Sequence, residues 1–104
     1  MADVFNGSEG EIISSKDAGA LTAEFRANFP TQKKGYFFGK NKIQILASQT
    51  GTKGLRIYFG QDANGKLTLV LVAADASGND NMNNILDTGV GCPDLCSTDN
   101  ALNS

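Results

Sequence analysis

A β-hairpin signal over residues 55–74 constrains the fold of this chain more than any other feature of its sequence. Side chains in residues 55–60 alternate with period two, which is typical of a half-buried strand. The segment that follows contains Gly65, which can take the positive φ of a hairpin turn. Residues 66–74 then return as a strongly β-prone run. We therefore predict an antiparallel hairpin made of residues 55–60 and 66–74.

The returning strand of this hairpin is apolar on both faces beyond Thr68. Because neighbouring residues of a strand point to opposite faces of the sheet, such a strand needs cover on both sides. We expect two helices to cover one face. The second face is then left for the N-terminal arm, the C-terminal segment or another subunit. The candidate residues for self-association are Val70, Val72 and Ala74.

Two segments before the hairpin have the patterns of helices. Residues 14–29 begin with serines typical of an N-cap and repeat apolar side chains every three or four positions. Pro30 ends this helix, because the residue before a proline disfavours the α conformation. Residues 40–49 suit a short helix closed by Gly51, although their alternating centre also fits a strand.

Chain length and apolar content indicate one folded domain. A chain of 104 residues has room for a single core, and its apolar residues, 40% of the total, are concentrated in runs. We predict an α+β domain over residues 1–104, in which two short N-terminal helices pack on a small antiparallel sheet built around the hairpin. Residues 1–13 form an N-terminal arm, residues 81–87 a short helical turn and residues 88–104 an irregular tail that contains the cysteines.

Basic and acidic residues are segregated along the chain. The net charge is −2, yet residues 31–60 contain six basic residues and no acidic residue, while both flanks are acidic. The basic residues are candidates to receive an anionic ligand such as a nucleic acid or a phosphorylated metabolite, although charge runs usually face water. The acidic flanks argue against a nucleic acid. The anion-binding candidates are Lys33, Lys34, Lys40, Lys42, Lys53 and Arg56.

Two cysteines near the C-terminus form the motif with the most evident chemistry. Cys92 and Cys96 are separated by three residues, whereas a thioredoxin-type redox pair has two. A zinc site needs four ligands, and the chain has no histidine and no third cysteine. We predict a local disulfide or two free thiols here. The alternatives are an intersubunit disulfide or metal, and redox catalysis.

Two further segments match ligand-binding motifs only in part. Residues 75–80 begin like a calcium loop, but Asp80 stands where the sharp turn needs glycine, and Leu86 where a bidentate glutamate is needed. An Asx-rich hairpin turn is the prediction for this segment. Residues 35–41 lack the Ser or Thr that holds magnesium in a phosphate loop. Because histidine is absent as well, we expect a protein that is not an enzyme and has no cofactor and no metal site.

Apolar runs in this sequence are short. None approaches the roughly 18–20 apolar residues of a membrane-spanning helix, so we expect no membrane insertion. The first residues lack the basic and apolar regions of a secretory signal. We therefore expect a cytoplasmic location, with secretion by another route left open.

Five short segments spread over residues 38–96 are distinctive. They are Phe38-Gly39-Lys40, Gly54-Leu55-Arg56-Ile57-Tyr58-Phe59-Gly60, Leu69-Val70-Leu71-Val72, Asp75-Ala76-Ser77-Gly78-Asn79-Asp80 and Cys92-Pro93-Asp94-Leu95-Cys96. Together they resemble a group of small uncharacterised bacterial proteins. The resemblance implies a shared architecture, and it carries over no activity, ligand or catalytic residue.

The sequence offers no catalytic motif, so its apolar and charged surfaces indicate the function. A small core, an apolar strand with two faces to cover and a basic middle between acidic ends favour a structural or interaction protein that self-associates. Contacts between different surfaces of neighbouring copies would produce a ring or a filament. The alternative is a binding module that holds an anionic ligand on its basic residues.

Overall fold

The computed structural model describes residues 3–104, and within them the chain is a small α+β fold with antiparallel strands. In chain order the elements are α1 (Ser15–Asn28), β1 (Gly35–Phe37), α2 (Lys40–Ala47), β2 (Thr52–Gln61), β3 (Leu67–Asp75), β4 (Asp80–Leu86) and β5 (Val90–Cys92). Strands β2, β3 and β4 form one sheet with β3 in the centre, and β1 pairs with β5 in a second sheet.

The predicted hairpin is confirmed as β2 and β3, although β2 begins earlier than predicted, at Thr52, and β3 covers Leu67–Asp75. Their register places Ile57 opposite Leu71 and Tyr58 opposite Val70. Because cross-strand partners share a face, odd-numbered residues of β2 and β3 lie on one face and even-numbered residues on the other. We call them the odd face and the even face.

Asx turns with the same hydrogen-bonding pattern close both hairpins of the three-stranded sheet. In the first, the Asp62 carboxylate accepts hydrogen bonds from the backbone N–H groups of Asn64 and Lys66, both at 2.9 Å. In the second, Asp75 accepts from the N–H groups of Ser77 and Asn79 at 3.0 and 2.9 Å. The prediction of an Asx-rich turn after β3 is therefore confirmed.

Both predicted helices are present. The Ser14 hydroxyl caps α1 by accepting a hydrogen bond from the Asp17 backbone N–H at 3.0 Å, and the helix ends before Pro30. Helix α2 is followed by Gly51, whose φ of 82° lies in the left-handed region that favours glycine. The rival prediction of a strand over residues 40–49 was wrong.

The core lies between α2 and the odd face of the three-stranded sheet. Leu46 of α2 packs with Leu71 and Ala73 of β3, and all three are buried. The partly buried side chains of Phe38, Leu55, Leu69 and Leu86 surround them. One helix therefore supplies the cover that was expected from two.

The N-terminal segment lies at the even face. The backbone N–H groups of Val4 and Phe5 both donate to the Ala76 carbonyl, at 2.7 and 3.0 Å. The Phe5 ring lies 5.5 Å from the Arg56 guanidinium carbon, and Phe5 lines a small cavity together with Ala74. The second face of β3 is thus covered in part within a single chain, at Val72 and Ala74.

The predicted packing of two N-terminal helices on one sheet was wrong. Strand β1 separates the helices, and the strands form two sheets. Helix α1 packs against the C-terminal segment, where its Gly19 approaches Ala101. Residues 81–87 belong largely to strand β4, and the tail contributes strand β5, so neither the helical turn nor a wholly irregular tail is found. Three-residue strands such as β1 and β5 are too short to produce a readable period.

The chain exposes more surface than a compact protein of its size. Its solvent-exposed surface is 7531 Å², whereas a compact monomer of 10.9 kDa exposes about 5,600 Å². The Cα radius of gyration is 15.4 Å, against about 13 Å for a compact chain of this length. Much surface is therefore left uncovered by the chain itself, and it includes large apolar side chains such as Phe59 and Met82.

Neither helix within residues 3–104 has the length and hydropathy needed to cross a membrane.

Candidate functional site

Strand β2 forms an open edge of the three-stranded sheet. The sheet order is β2-β3-β4, so no strand from residues 3–104 pairs with the outer side of β2. Main-chain N–H and C=O groups on such an edge remain available for pairing. The ten residues of β2 make this edge long for a domain of about 100 residues.

Hydrogen bonding in the hairpin determines which main-chain groups of β2 point outward. The Asp62 N–H donates to the Lys66 carbonyl at 2.9 Å, so this pair bonds across the hairpin. Hydrogen-bonded and non-hydrogen-bonded pairs alternate along an antiparallel ladder. Tyr58 and Arg56 lie an even number of residues before Asp62, so their main-chain groups also hydrogen-bond to β3. Between Gly54 and Gly60, the outward N–H and C=O groups therefore belong to Leu55, Ile57 and Phe59.

Contacts of Leu67 support this assignment independently. Leu67 lies opposite Gln61 in a pair that the alternation makes non-bonded, so its main chain points away from β2. Its N–H donates to Gln32 Oε1 at 2.7 Å, and its carbonyl accepts from the Tyr36 hydroxyl at 2.6 Å. The same alternation carried along β2 leaves its odd-numbered residues facing the open edge.

Side chains along the outward edge are exposed and apolar. Ile57 is 53% exposed and Phe59 is 78% exposed. Arg56 is the one charged residue between Gly54 and Gly60, whereas open edges commonly carry several charges, a proline or a bulge to prevent pairing. The segment from Gly54 to Gln61 lacks those protections and keeps a regular register, and the bulge of β2 lies at its start, between Thr52 and Gly54.

A polar network occupies the even face beside the edge. Arg56 and Tyr58 each donate a hydrogen bond to one oxygen of the Asp80 carboxylate, and Arg56 also donates to the Gly78 carbonyl at 3.0 Å. The hydrogen bond from Tyr58, followed by the hydrogen bond and charge of Arg56, lowers the pKa of Asp80. The same Asp80 contact is the main cause that raises the pKa of the Tyr58 hydroxyl. The network fixes β4 to β2 across the central strand.

The three strand residues predicted for self-association lie on the even face of β3. Val72 and Ala74 are buried, with 3% and 5% of their surfaces exposed, and Val70 is partly buried. Their own chain already covers Val72 and Ala74, so they are not available to a second copy. The open surface lies one strand away, on β2.

The six predicted anion-binding residues come from three different parts of the fold. Lys33 and Lys34 follow α1, Lys40 and Lys42 lie in the first turn of α2, and Lys53 and Arg56 lie on β2. The fold instead brings Lys33 and Lys34 to a cavity of about 420 Å³ that is also lined by Arg26 and Lys66.

Each cation around this cavity has a partner within the chain. Lys34 Nζ donates to the Asn103 carbonyl at 2.7 Å, and Lys66 Nζ donates to the Thr31 carbonyl at 3.0 Å. Arg26 donates to the Leu102 carbonyl, and Lys33 lies 3.6 Å from the Asp94 carboxylate. Sequence reasoning missed Arg26 and Lys66 because they are distant along the chain from the basic segment.

Cys92 and Cys96 form the predicted local disulfide, with their Cα atoms 4.7 Å apart. Cys92 is the last residue of β5, so the bridge ties the following loop to the two-stranded sheet. Within residues 3–104, no cluster of three or more His, Cys, Asp or Glu side chains is placed to hold a metal ion.

Comparison of the chain with family models, curated proteins and solved structures finds no match in any of the three. The resemblance of residues 38–96 to small bacterial proteins therefore stays a prediction. Function has to be inferred from the geometry of the chain alone.

Proposed function

We propose that this chain is a non-enzymatic interaction protein that associates with further copies of itself through the open edge of β2. The observation that carries the proposal is the row of outward main-chain groups at Leu55, Ile57 and Phe59, flanked by exposed apolar side chains. An edge of this kind is completed by another extended strand, because only a strand supplies donors and acceptors at the matching spacing.

The exposed surface of the chain supports the same proposal. It exceeds that of a compact monomer by about 1,900 Å². A standard protein–protein interface buries about 1,600 Å² in total from its two partners. Association can remove exposed apolar side chains such as Ile57 and Phe59 from water, which contributes about 25 cal/mol per Å² of apolar area buried.

A pair of matched substitutions tests the role of the edge. Ile57→Lys places a charge on the outward edge, whereas Ile12→Lys changes the same residue type at an exposed position in the N-terminal segment. We expect sedimentation equilibrium to give a mass that rises with concentration for the wild type and for Ile12→Lys. Ile57→Lys should stay a monomer at concentrations where the wild type associates, with an unchanged circular dichroism spectrum.

A wild type that remains a monomer at millimolar concentration and low salt would contradict the proposal. Equal association of both lysine variants would also contradict it, because contact would then lie away from β2.

The second candidate function is binding of an anionic ligand, and the cavity lined by Arg26, Lys33, Lys34 and Lys66 favours it. Four cations around one cavity attract a phosphorylated ligand, and the attraction weakens as salt rises. Inorganic pyrophosphate is a suitable probe at low salt. We expect the Lys33→Gln/Lys66→Gln variant to lose the binding and a Lys40→Gln/Lys42→Gln variant to keep it. No heat of binding for the wild type at low salt would rule this candidate out.

A further inference from the structure

The geometry of β2 points to one mode of association: a second copy pairs its own β2 antiparallel to the first, about a two-fold axis through Ile57. This inference rests on the proposed self-association and specifies its partner, strand direction and register. The product is a closed dimer with a continuous six-stranded sheet, since each copy contributes three strands.

Self-pairing follows from the hydrogen-bonding requirement of the edge. In an antiparallel pair related by a two-fold axis, the same residues face each other from both copies. With Ile57 on the axis, Leu55 of one copy lies opposite Phe59 of the other. All three outward residues then have their N–H and C=O groups directed at outward groups of the partner.

Apolar side chains match on the odd face in this register. Ile57 meets Ile57 of the second copy, and Leu55 meets Phe59 on both sides of the axis. Ile57 and Phe59 are exposed apolar residues of this face of β2, so they gain cover, while Leu55 already contacts the core. Cross-strand apolar and aromatic pairs of this kind stabilise a sheet.

No like charges face each other on the even face in the same register. Arg56 lies opposite Tyr58 of the second copy, where a cation meets an aromatic ring. Asp80 of each copy already binds its own Arg56 and Tyr58, so the two polar networks become neighbours across the axis. Like charges do not face each other anywhere between Leu55 and Phe59.

Neighbouring registers are less favourable. An axis through Arg56 places two arginines directly opposite each other, which is destabilising. An axis through Tyr58 places Leu55 opposite Gln61 and leaves Arg56 facing Gly60. An axis through Phe59 brings Leu55 beyond the end of the partner strand, opposite Ala63 of the hairpin turn.

The other edge of the sheet explains why association closes at two copies. Strand β4 breaks its register with β3 between Val72 and Ala73, where pairing moves from Ile85 to Asn81. Such a bulge twists an edge away from regular pairing. A β2-to-β4 contact, which would extend into a ring or filament, would therefore pair the regular part of β2 with an interrupted strand.

Nitroxide labels at two positions test the register. Gln61→Cys and Lys53→Cys each introduce one thiol, because Cys92 and Cys96 are bonded to each other. With the axis at Ile57, residue 61 lies opposite residue 53 of the second copy. Both label pairs are then separated by eight residues along the strand, about 27 Å.

A shifted register moves the two distances in opposite directions. An axis through Tyr58 gives about 20 Å for the residue 61 pair and about 34 Å for the residue 53 pair, and an axis through Arg56 gives the reverse. Equal distances near 27 Å in pulsed electron–electron resonance support the inference. Unequal distances in a sample whose sedimentation mass is that of a dimer overturn the register and leave self-association standing.

Mass measurements on the same labelled samples separate the remaining outcomes. A broad series of larger assemblies overturns the closed dimer. A monomer in both labelled variants and in the wild type overturns the proposed function together with this inference.

Discussion

Gly19 determines where the C-terminal segment can lie, because it is the buried residue of α1. A Cβ atom at this position would be 2.9 Å from the Ala101 carbonyl oxygen and 3.1 Å from the Ala101 Cβ. Glycine in a helix interior normally destabilises the helix by about 1 kcal/mol relative to alanine. Close packing of the C-terminal segment on this helix is the compensating gain.

Gly19→Ala is therefore predicted to destabilise the protein, whereas the same substitution at an exposed helical glycine would stabilise it. We expect a net loss of stability in urea unfolding, with faster amide exchange in residues 100–104, because Ala101 has to move. Ala23→Gly is the control: it should cost about 1 kcal/mol from helix propensity and leave the exchange of residues 100–104 unchanged. A Gly19→Ala variant that is more stable by the full helix-propensity gain would show that this contact contributes little.

Asp80 makes the stability of the sheet depend on pH. The hydrogen bond from Tyr58 and then Arg56 lower the pKa of Asp80 in the folded state. The ionised carboxylate therefore contributes fully to stability above its unfolded pKa of about 3.9, and this contribution is lost as the pH falls through the folded pKa. The pKa of Tyr58 is raised, so the contribution of its protonated hydroxyl is present below about 10 and is lost as the pH rises through the folded value.

Substitution of Asp80 by asparagine tests this coupling. We expect Asp80→Asn to be less stable than the wild type at pH 7 and to show a weaker loss of stability between pH 5 and pH 2, measured by urea unfolding at each pH. Asp99→Asn, in the C-terminal segment, is the control for the loss of one carboxylate and should keep the wild-type stability at pH 7. Parallel profiles for Asp80→Asn and the wild type would contradict the assigned role.

Helix α2 and strand β3 supply the core at the scale of elements. Leu46 is buried against Leu71 and Ala73, whereas the neighbouring Ile45 is about half exposed. We expect Leu46→Ala to lower the free energy of unfolding by about 2–5 kcal/mol, as for other buried leucines. Ile45→Ala should cost clearly less. Equal losses in the free energy of unfolding for the two variants would show that α2 does not pack on the sheet through Leu46.

The disulfide stabilises a short loop beside β5. Because it closes only about five residues, the chain-entropy estimate of its contribution is about 2 kcal/mol. Replacement of both cysteines by serine should lower the free energy of unfolding by up to that amount and should leave the association of β2 edges unchanged. Loss of association in this variant would link the tail to the interface and contradict the location proposed here.

The sequence correctly predicted the elements in which apolar residues repeat with the period of a helix or a strand. Helix α1 follows from Ser14 and the spacing of its apolar residues, and the hairpin follows from alternation and from the Asp62–Lys66 turn. Strand β4 was predicted as a helical turn because its asparagines give no apolar alternation, and β4 is fixed by contacts such as Asp80 with Arg56 that are distant in sequence. Local periodicity does not encode such contacts.

The sequence predicted self-association through the sheet, but it pointed to residues of β3 and not to the edge of β2. An apolar β3 with two faces suggested an uncovered sheet, yet α2 covers one face, and the N-terminal segment with Arg56 covers part of the other. What remains open is the main-chain edge of β2. Whether a strand is central or at an edge depends on the order of strands in the sheet, and the sequence of a hairpin alone does not determine that order.

At the scale of the whole molecule, a small core and a large exposed surface account for the proposed dimer. The exposed surface of 7531 Å² belongs to a chain that buries few side chains completely. Pairing of two β2 edges would place the three-stranded sheets side by side and cover Ile57 and Phe59 from both copies. The dimer would then resemble a compact protein more closely than either copy does.

Residue-resolved amide exchange of β2 at increasing protein concentration tests self-association through this edge most directly. The amides of Arg56 and Tyr58 point to β3 and should exchange slowly at every concentration, which provides an internal control. The amides of Leu55, Ile57 and Phe59 point outward, so they should exchange rapidly in dilute solution and become protected as concentration rises. Rapid exchange of the Ile57 amide at all concentrations, while Arg56 and Tyr58 stay protected, would contradict pairing of the β2 edge.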